Sequence, residues 1–236
     1  MGISNTIPPS RLIQPGVVAN TAARPTSPFT GQAIYQVDTN QMLIWNGTAW
    51  VIPNQNTQNP TALELVTTAT CSSGGTASGG IITVGSAQSS VTVSTAFSST
   101  YDNYRIIWTG GTQSNASDVI MKLGTTATQY YNWMAYGAYN AGNATPAGAG
   151  QSNVTQGWSW VGGGDSNASI MDVDIYNPNQ TKYTFFRALG FYSASANAGY
   201  NAGVLKDSTS YTAFTITPAA GTITGGQIRI YGYRNS

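Results

Sequence analysis

Histidine is absent from this 236-residue chain, and cysteine occurs once, as Cys71. These two absences exclude an intramolecular disulfide, a zinc site built from histidine and cysteine, and every catalytic triad or dyad that uses histidine as its base. We therefore predict a protein that is not an enzyme, with no catalytic residue, no metal site and no cofactor.

Charged residues are also scarce, at 7% of the chain. The nine basic residues are spread from Arg11 to Arg234 and the formal net charge is +1, so the sequence offers no basic patch for the phosphates of a nucleic acid. It also has no run of about 18 apolar residues and no charged N-terminal segment followed by an apolar one. We predict no nucleic-acid partner, no membrane insertion and synthesis in a cytoplasm.

Small neutral polar residues and aromatic residues take the place of the missing charges. The chain has 27 glycines, and serine, threonine and asparagine are frequent, whereas the glutamate and lysine that are typical of disordered chains are rare. Aromatic residues make up 11% of the chain, with 14 tyrosines and 6 tryptophans, which is enough to build packed cores. The composition predicts a folded protein with a mostly neutral surface.

The first 61 residues divide into three segments. Residues 1–23 contain three prolines and only short apolar pairs, which predicts an extended arm that becomes ordered on another subunit or protein. Residues 24–52 alternate in polarity around an Asn-Gly turn, which predicts a module of three short antiparallel strands. Residues 53–61 carry two prolines and are predicted to form a linker.

The hairpin module is too small to bury much apolar surface by itself. We therefore expect it to be completed by docking on a partner or by self-association. Its docking residues are predicted to be Ile34, Tyr35, Leu43, Trp45 and Trp50.

Residues 62–236 contain eleven short β-rich runs separated by turn signals, among them "YRIIWT", "IMDVDIY" and "QIRIYGY". No amphipathic helix pattern interrupts these runs. The pattern predicts an all-β fold whose main domain is an antiparallel β-sandwich of jelly-roll type, or a barrel.

Two tyrosines occur in segments rich in glycine, alanine and asparagine, which we predict to be loops. The tetrapeptide Tyr-Asn-Ala-Gly begins at Tyr139 and again at Tyr200, and few apolar neighbours are present to bury either ring. A tyrosine flanked by amides is suited to stacking on sugar rings and bonding their hydroxyl groups. Tyr139, Asn140, Tyr200 and Asn201 are therefore receptor-binding candidates, and packing against a neighbouring subunit is the alternative.

Two further pairs are predicted to share one face of a strand. Trp158 and Trp160 are receptor-binding candidates, although tryptophan is more often buried in a sandwich core. Asp172 and Asp174 form a carboxylate pair of the kind that serves a glycosidase or a calcium site. Because no third acidic residue is near them in sequence, we interpret them as the solvated side of an amphipathic strand.

Residues 24–51, "RPTSPFTGQAIYQVDTNQMLIWNGTAWV", resemble a hairpin module of tailed-bacteriophage structural proteins, with the form R-P-x-x-P-x-x-G-Q-x-I-Y-x-x-D-T followed by W-N-G-x-x-W. The matching residues are Arg24, Pro25, Pro28, Gly31, Gln32, Ile34, Tyr35, Asp38, Thr39, Trp45, Asn46, Gly47 and Trp50. The C-terminal domain is similar, through "FSSTYDNYRIIW" (97–108) and "GGQIRIYGY" (225–233), to domains of phage fibre and appendage proteins, many from viruses of aquatic cyanobacteria.

The resemblance implies a non-enzymatic virion protein of the tail-fibre type, on the tail rather than the head. Such proteins are often homotrimers that attach to other virion proteins through the N-terminal region, here residues 1–55, and face outward with a β domain. Because loops rich in hydroxyl and amide groups suit weak, multivalent binding to sugars, we predict that this domain recognises a host-surface glycan. The alternative is a purely structural head decoration, head fibre or tail connector. A polysaccharide depolymerase would need clustered acids in a groove, and the chain has only eight Asp and Glu residues.

Overall fold

The computed structural model of the chain describes residues 16–53, 63–126, 128–140, 146–192 and 196–235, with the side chain of Tyr192 excepted. The chain divides into two compact units, Met1–Asn59 and Pro60–Ser236. Apart from one turn of 3₁₀ helix at Thr21–Ala23, the regular structure of the described residues is strand. The prediction of an all-β fold with a large antiparallel sandwich is confirmed.

Residues 16–53, the described part of the first unit, form a four-stranded sheet. Its strands are β1 (Gly16–Val18), β2 (Ala33–Gln36), β3 (Gln41–Trp45) and β4 (Trp50–Val51), in the order β1-β2-β3-β4. Strands β2 to β4 are antiparallel, whereas β1 is parallel to β2.

The extra strand, β1, comes from the segment that was predicted to be an arm ordered by another molecule. The backbone carbonyl of Val18 accepts from the amide of Val37, and that of Ala19 accepts from the amide of Asp38. Residues 16–19 thus find backbone partners in the same chain, where sequence alone predicted none, because a long-range parallel pair leaves no local signature. The earlier part of the arm lies outside the described residues.

The described residues of the second unit, from Leu63 onward, form fifteen strands. In chain order they are β5 (Leu63–Leu65), β6 (Thr70–Ser73), β7 (Gly75–Ser78), β8 (Ile81–Val84), β9 (Val91–Ser94), β10 (Tyr101–Gln113), β11 (Ser117–Leu123), β12 (Tyr130–Ala138), β13 (Ala147–Val154), β14 (Trp158–Gly164), β15 (Ser169–Tyr176), β16 (Thr184–Tyr192), β17 (Asn197–Leu205), β18 (Phe214–Pro218) and β19 (Ile223–Arg234).

Strand β15 joins the two layers of the sandwich. One edge of β15 pairs with β10, while the other edge is shared, with Val173–Tyr176 pairing with β16 and Ser169–Met171 pairing with β14. The front sheet has the order β13-β12-β17-β16-β15-β10-β19-β8-β7, and β5 also pairs with β19. The back sheet continues from β14 in the order β14-β11-β18-β9-β6.

The core lies between these sheets and follows from strand alternation. Along β10, Tyr104, Ile106 and Trp108 are fully buried, whereas the intervening Arg105 and Ile107 are not. The same period of two places one side of β15 and of β19 in the core. The largest fully buried side chains are aromatic. Five come from strands of the two sheets, namely Trp108, Trp158, Tyr104, Tyr130 and Phe214, and Phe97 comes from the connection between β9 and β10.

The described parts of the glycine-rich segments that were predicted to be loops are largely strand. Residues 147–154 form β13, residues 162–164 end β14 and residues 197–203 belong to β17. The glycines allow close approach of backbones, since a Cβ at Gly199 would overlap the carbonyl oxygen of Ala135 on β12. Small residues therefore indicate tight strand contacts here. The prediction of loops was wrong for residues 147–153 and 197–203, whereas Tyr139 and Asn140 follow the end of β12 in a turn. Residues 141–145 and 193–195 of the predicted loops lie outside the described residues.

In the part of the chain that the structure describes, no helix has the length and apolar character needed to cross a membrane.

Candidate functional site

The outer face of the front sheet, pointing away from the core, carries several exposed apolar side chains. Trp133 on β12 is 58% exposed, Tyr200 on β17 is 76% exposed and Phe185 on β16 is 47% exposed. Leu189 on β16 is 37% exposed. We call these four residues the aromatic patch.

Strand register brings the aromatic patch together. Tyr200 is paired with Ala135 on one side and with Leu189 on the other. Ala202, two residues along β17, is paired with both Trp133 and Arg187. Small alanine side chains thus separate the large ones and leave their rings accessible. Exposed apolar side chains that share one face of a sheet in this way are typical of a binding or packing surface.

An open groove of about 710 Å³ lies on the second unit and includes Tyr139. Tyr139 is 61% exposed, and its backbone amide donates to the carbonyl of Ala196 at 2.8 Å. Apolar walls come from Ile170 and Phe191, and polar groups come from the turn that contains Asp165. The adjacent Asn140 is exposed.

A second groove, of about 380 Å³, contains Tyr200 and a set of ion pairs. The guanidinium of Arg105 donates to both carboxylate oxygens of Asp172, at 2.9 and 2.6 Å. Arg187 donates through Nε to Asp174 at 2.9 Å, and the Tyr233 hydroxyl donates to the same carboxylate at 2.7 Å.

These contacts explain the electrostatics of the second groove. The hydrogen bond to Asp172 raises the pKa of Arg105, and the hydrogen bond to Asp174 raises that of Arg187. Burial, together with the bond to Asp174, raises the pKa of Tyr233 to about 12. All three groups therefore keep their protons at neutral pH, and both carboxylates are held by donors.

Asp172 and Asp174 lie on the outward side of β15, as the alternation predicted. Their oxygens accept from arginine and tyrosine, which disfavours a metal ion or a catalytic role. Among the described residues, no group of three or more His, Cys, Asp or Glu side chains is placed to hold a metal ion.

Two of the predicted receptor-binding residues are buried. Trp158 is fully buried, with its ring centroid 4.5 Å from that of Phe186 and 5.3 Å from that of Tyr130. Asn201 is 1% exposed and donates through Nδ2 to the backbone carbonyls of Ser159 and Trp160, at 2.7 and 3.2 Å. Their burial is incompatible with direct contact to a receptor. Asn201 instead fixes β17, and with it the neighbouring Tyr200, against β14.

Trp160 does not share the face of Trp158, contrary to the prediction. Strand β14 has an irregular register with β11 between the pairs formed by Val119 and Met121, and Trp160 has a φ of 59°. This irregularity shifts the alternation, so that Trp158 and Val161 are both in the core while Trp160 is partly exposed. A left-handed conformation is costly for a bulky side chain, and here it is supported by the amide of Trp160 donating to Asp118 at 3.2 Å.

The predicted docking residues of the first unit divide between its interior and its surface. Ile34 and Leu43 are 1% and 4% exposed and form its apolar centre, whereas Tyr35, Trp45 and Trp50 are partly exposed. The rings of Trp45 and Trp50 meet edge to face, with centroids 5.6 Å apart. Both Leu43 and Trp50 line a groove of about 520 Å³, together with Arg24, Gln41, Asn46, Val51 and Ile52.

Sequence reasoning missed the remaining members of the outer face. Trp133, Phe185 and Leu189 occur in strands that we predicted, and the period of two assigns each to one side of its strand. The sequence does not say which side is covered, because both sides of β12 and β16 carry large apolar residues. Only the pairing of β12, β17 and β16 places Trp133 and Leu189 beside Tyr200, and Phe185 farther along the same face.

Comparisons with known proteins give no relative of this chain: no family model, no curated protein and no solved structure matches it.

Proposed function

We propose that the chain is a structural protein of a tailed-phage virion, of the tail-fibre type, which is anchored through residues 1–55 and recognises a host-surface glycan with its β-sandwich. The observation that carries this proposal is the aromatic patch, beside the two grooves that contain Tyr139 and Tyr200. The resemblance of residues 24–51 to a phage hairpin module supplies the virion context.

The aromatic patch has the chemistry that sugar binding requires. Exposed rings offer flat apolar surfaces to the C–H faces of pyranose sugars, and the tyrosine hydroxyl groups bond sugar hydroxyls. The rings are attached to strands of a large sheet, which hold their spacing with little loss of conformational entropy on binding. A rigid, mostly neutral platform of this kind suits repeated weak contacts with a polysaccharide.

The first unit supports the anchoring role. Of its described residues, 16–53, only Ile34, Gln36 and Leu43 are buried, so the unit has little apolar core of its own. The groove over Leu43 and Trp50 offers both apolar and polar groups to a neighbouring virion protein, and covering its apolar part stabilises the unit.

The proposal includes a homotrimer, because weak sites gain strength when several copies bind one surface. Three chains in a common particle bring three aromatic patches to the same cell. The proposed role involves no catalysis, in keeping with the arginine and tyrosine contacts that occupy Asp172 and Asp174.

The proposal is tested by labelling the full-length chain with a fluorophore and measuring its binding to a panel of bacterial strains that includes aquatic cyanobacteria. We expect binding to at least one strain, and at least a tenfold loss when Tyr139 and Tyr200 are both replaced by alanine. Tyr231→Ala, on β19 of the same sheet, is the matched control and should leave binding unchanged.

An exposed apolar patch also fits contact with a neighbouring subunit, which is the surface expected of a head decoration or tail connector. In that case the wild-type chain labels no strain, and Trp133→Ala and Tyr200→Ala instead weaken incorporation of the chain into particles. Such a result would replace host recognition by a purely structural role.

A further inference from the structure

We propose that Arg187 gives the aromatic patch specificity for an acidic saccharide, by binding the carboxylate or phosphate group of a sugar that stacks on Tyr200 and Leu189. This inference rests on the proposed glycan-binding function and names the class of glycan. It follows from the position of one guanidinium group among exposed apolar side chains.

Arg187 is held in place and still has donors to offer. Its Nε atom donates to Asp174 at 2.9 Å, which fixes the plane of the guanidinium. No described residue accepts a hydrogen bond from its two terminal nitrogens. These nitrogens form the fork that binds carboxylate and phosphate groups with two parallel hydrogen bonds.

In each ion pair of the second groove, the arginine side chain is more exposed to solvent than the carboxylate side chain. The side chain of Arg187 is 68% exposed, whereas its partner Asp174 is 13% exposed. Arg105 and Asp172, the next pair on the sheet, are 38% and 24% exposed. In both pairs the cation is nearer to solvent than the anion, so an approaching ligand meets positive charge first.

The neighbours of Arg187 are the surfaces that a sugar ring needs. Leu189 lies two residues along the same side of β16, and its strand partner is Tyr200. Arg187 and Trp133 are both paired with Ala202, on opposite sides of β17. A ring stacked on Tyr200 and Leu189 therefore brings its acidic substituent within reach of the Arg187 fork.

A second cation borders the aromatic patch. The Nζ atom of Lys206 lies 4.5 Å from the centroid of the Tyr131 ring, and Lys206 is exposed. Tyr131 is on the outward side of β12, two residues before Trp133. The edge of the patch near β12 is therefore also positive, which favours a polymer with repeated acidic groups.

The experiment titrates the full-length protein with acidic sugars and monitors binding by ligand-observed NMR. The acidic sugars are methyl glucuronide, methyl galacturonide, the methyl glycoside of N-acetylneuraminic acid and glucose 6-phosphate. The neutral methyl glucoside and methyl galactoside are the comparison ligands. We expect at least one acidic sugar to bind tenfold or more tightly than the neutral sugars, and its affinity to fall as salt rises. The carboxylate and phosphate arms identify which anionic group is preferred.

Substitutions of Arg187 test the role of its two terminal guanidinium nitrogens. Arg187→Gln should abolish the preference for acidic sugars while leaving the weak neutral binding, and Arg187→Lys should retain part of that preference. Arg229→Gln is the matched control, since Arg229 lies on β19, where its guanidinium donates to Gln227. Binding by Arg229→Gln should equal that of the wild type.

Three results would overturn the inference: equal affinity for acidic and neutral sugars, an unchanged acidic preference in Arg187→Gln, or no binding of any acidic sugar in the panel. If the labelled protein binds cells and loses that binding in the tyrosine variant, while neutral sugars bind as well as acidic ones, only the specificity is wrong. If the protein binds no cell, the proposed function itself fails.

Discussion

At the scale of single residues, two tryptophans differ in burial, and we therefore expect their replacement to have different effects on stability. Trp158 is fully buried against Tyr130 and Phe186, whereas Trp133 is 58% exposed on the outer face. Trp158→Ala should cost about 3–5 kcal/mol of unfolding free energy through cavity formation. Trp133→Ala, the matched control, should cost less than about 1 kcal/mol.

Urea denaturation of both variants measures this difference. Because Trp133 belongs to the aromatic patch, its replacement should weaken binding to cells without a comparable loss of stability. Equal destabilisation by the two substitutions would mean that the assignment of Trp158 to the core and Trp133 to the surface is mistaken.

Asp118 supplies a pH-dependent contribution to stability. It is 5% exposed, and burial raises the pKa of its carboxyl, opposed in part by the hydrogen bond from the amide of Trp160. A raised folded-state pKa favours the folded protein below the pKa of the unfolded aspartate, about 4. That contribution is lost as pH rises through the folded-state pKa.

Asp118→Asn should therefore raise the melting temperature at pH 7, because the wild type must there either bury a charged carboxylate or take up a proton on folding. The asparagine carbonyl can still accept from Trp160, so the left-handed turn is preserved. Below about pH 4, where aspartate is protonated in both states, the difference should shrink. A melting temperature that falls at pH 7 would contradict this interpretation.

Much of the residue-level account could be predicted from sequence. The exposure of Tyr139 and Tyr200 was expected because their neighbours are small, and the common face of Asp172 and Asp174 follows from strand alternation. The separation of Trp158 from Trp160 could not be predicted, because one irregularity in the pairing of β14 with β11 shifts every later residue to the other side.

At the scale of secondary-structure elements, the absence of a side chain at Gly199 allows strands β12 and β17 of the aromatic patch to approach closely. Gly199 on β17 is paired with Tyr136 on β12 and with Gly190 on β16. A Cβ at Gly199 would meet the backbone of Ala135 and Tyr136. Gly199→Ala should therefore separate β12 from β17 and destabilise the sandwich by about 1–3 kcal/mol.

Gly150→Ala provides the matched control. Gly150 is on β13, at the end of the front sheet, and a Cβ there would lie 3.2 Å from Cδ1 of Trp133, a side chain that can shift. The change in unfolding free energy should stay within about 0.5 kcal/mol. Thermal unfolding of both variants measures the difference in stability. If Gly199→Ala did not lower the stability, the two strands would not be packed as closely as the structure has them.

In the first unit, Gln36 links strand β2 to the chain that precedes it. It is fully buried, accepts from Nε of Arg24 at 2.6 Å and donates to Asp38 at 2.7 Å and to Thr21 at 3.3 Å. Gln36→Leu removes these bonds and leaves partly buried polar groups without partners, at a cost of about 1–3 kcal/mol.

Hydrogen exchange of the backbone amides in residues 16–51 of the full chain measures the effect of Gln36→Leu. Exchange should become faster throughout the four-stranded sheet and stay unchanged in the sandwich. Gln41→Leu is the control, because Gln41 is exposed and pairs directly with Gln36 across the sheet. Equal effects of the two variants would contradict a special role for Gln36.

Element prediction succeeded where large residues alternate and failed where they do not. The runs that form β10, β15 and β19 have a clear period of two, and each is a strand. Strands β13 and β17 are built largely from glycine, alanine and asparagine, which lack an apolar period and are otherwise typical of turns. Their pairing with β12 and β16 outweighs these weak local preferences.

At the scale of the whole molecule, the chain combines a small sheet with little core of its own and a large sandwich with a continuous aromatic core. The low charge content leaves few side chains to control contacts with other molecules. We therefore propose the exposed aromatic patch on the sandwich and the groove over Leu43 and Trp50 on the first unit as the recognition surfaces. The joining of the two sheets at β15 could not be predicted, because it depends on pairing between distant segments.

The most direct test of the account is to map glycan contacts on the isotopically labelled full-length chain by NMR. Oligosaccharides released from a bacterial strain that binds the protein should perturb backbone amides of β12, β16 and β17, and the indole signal of Trp133. Perturbations confined to the back sheet or to β1–β4, or none at saturating oligosaccharide, would contradict the claim that the outer face of the front sheet recognises the host surface.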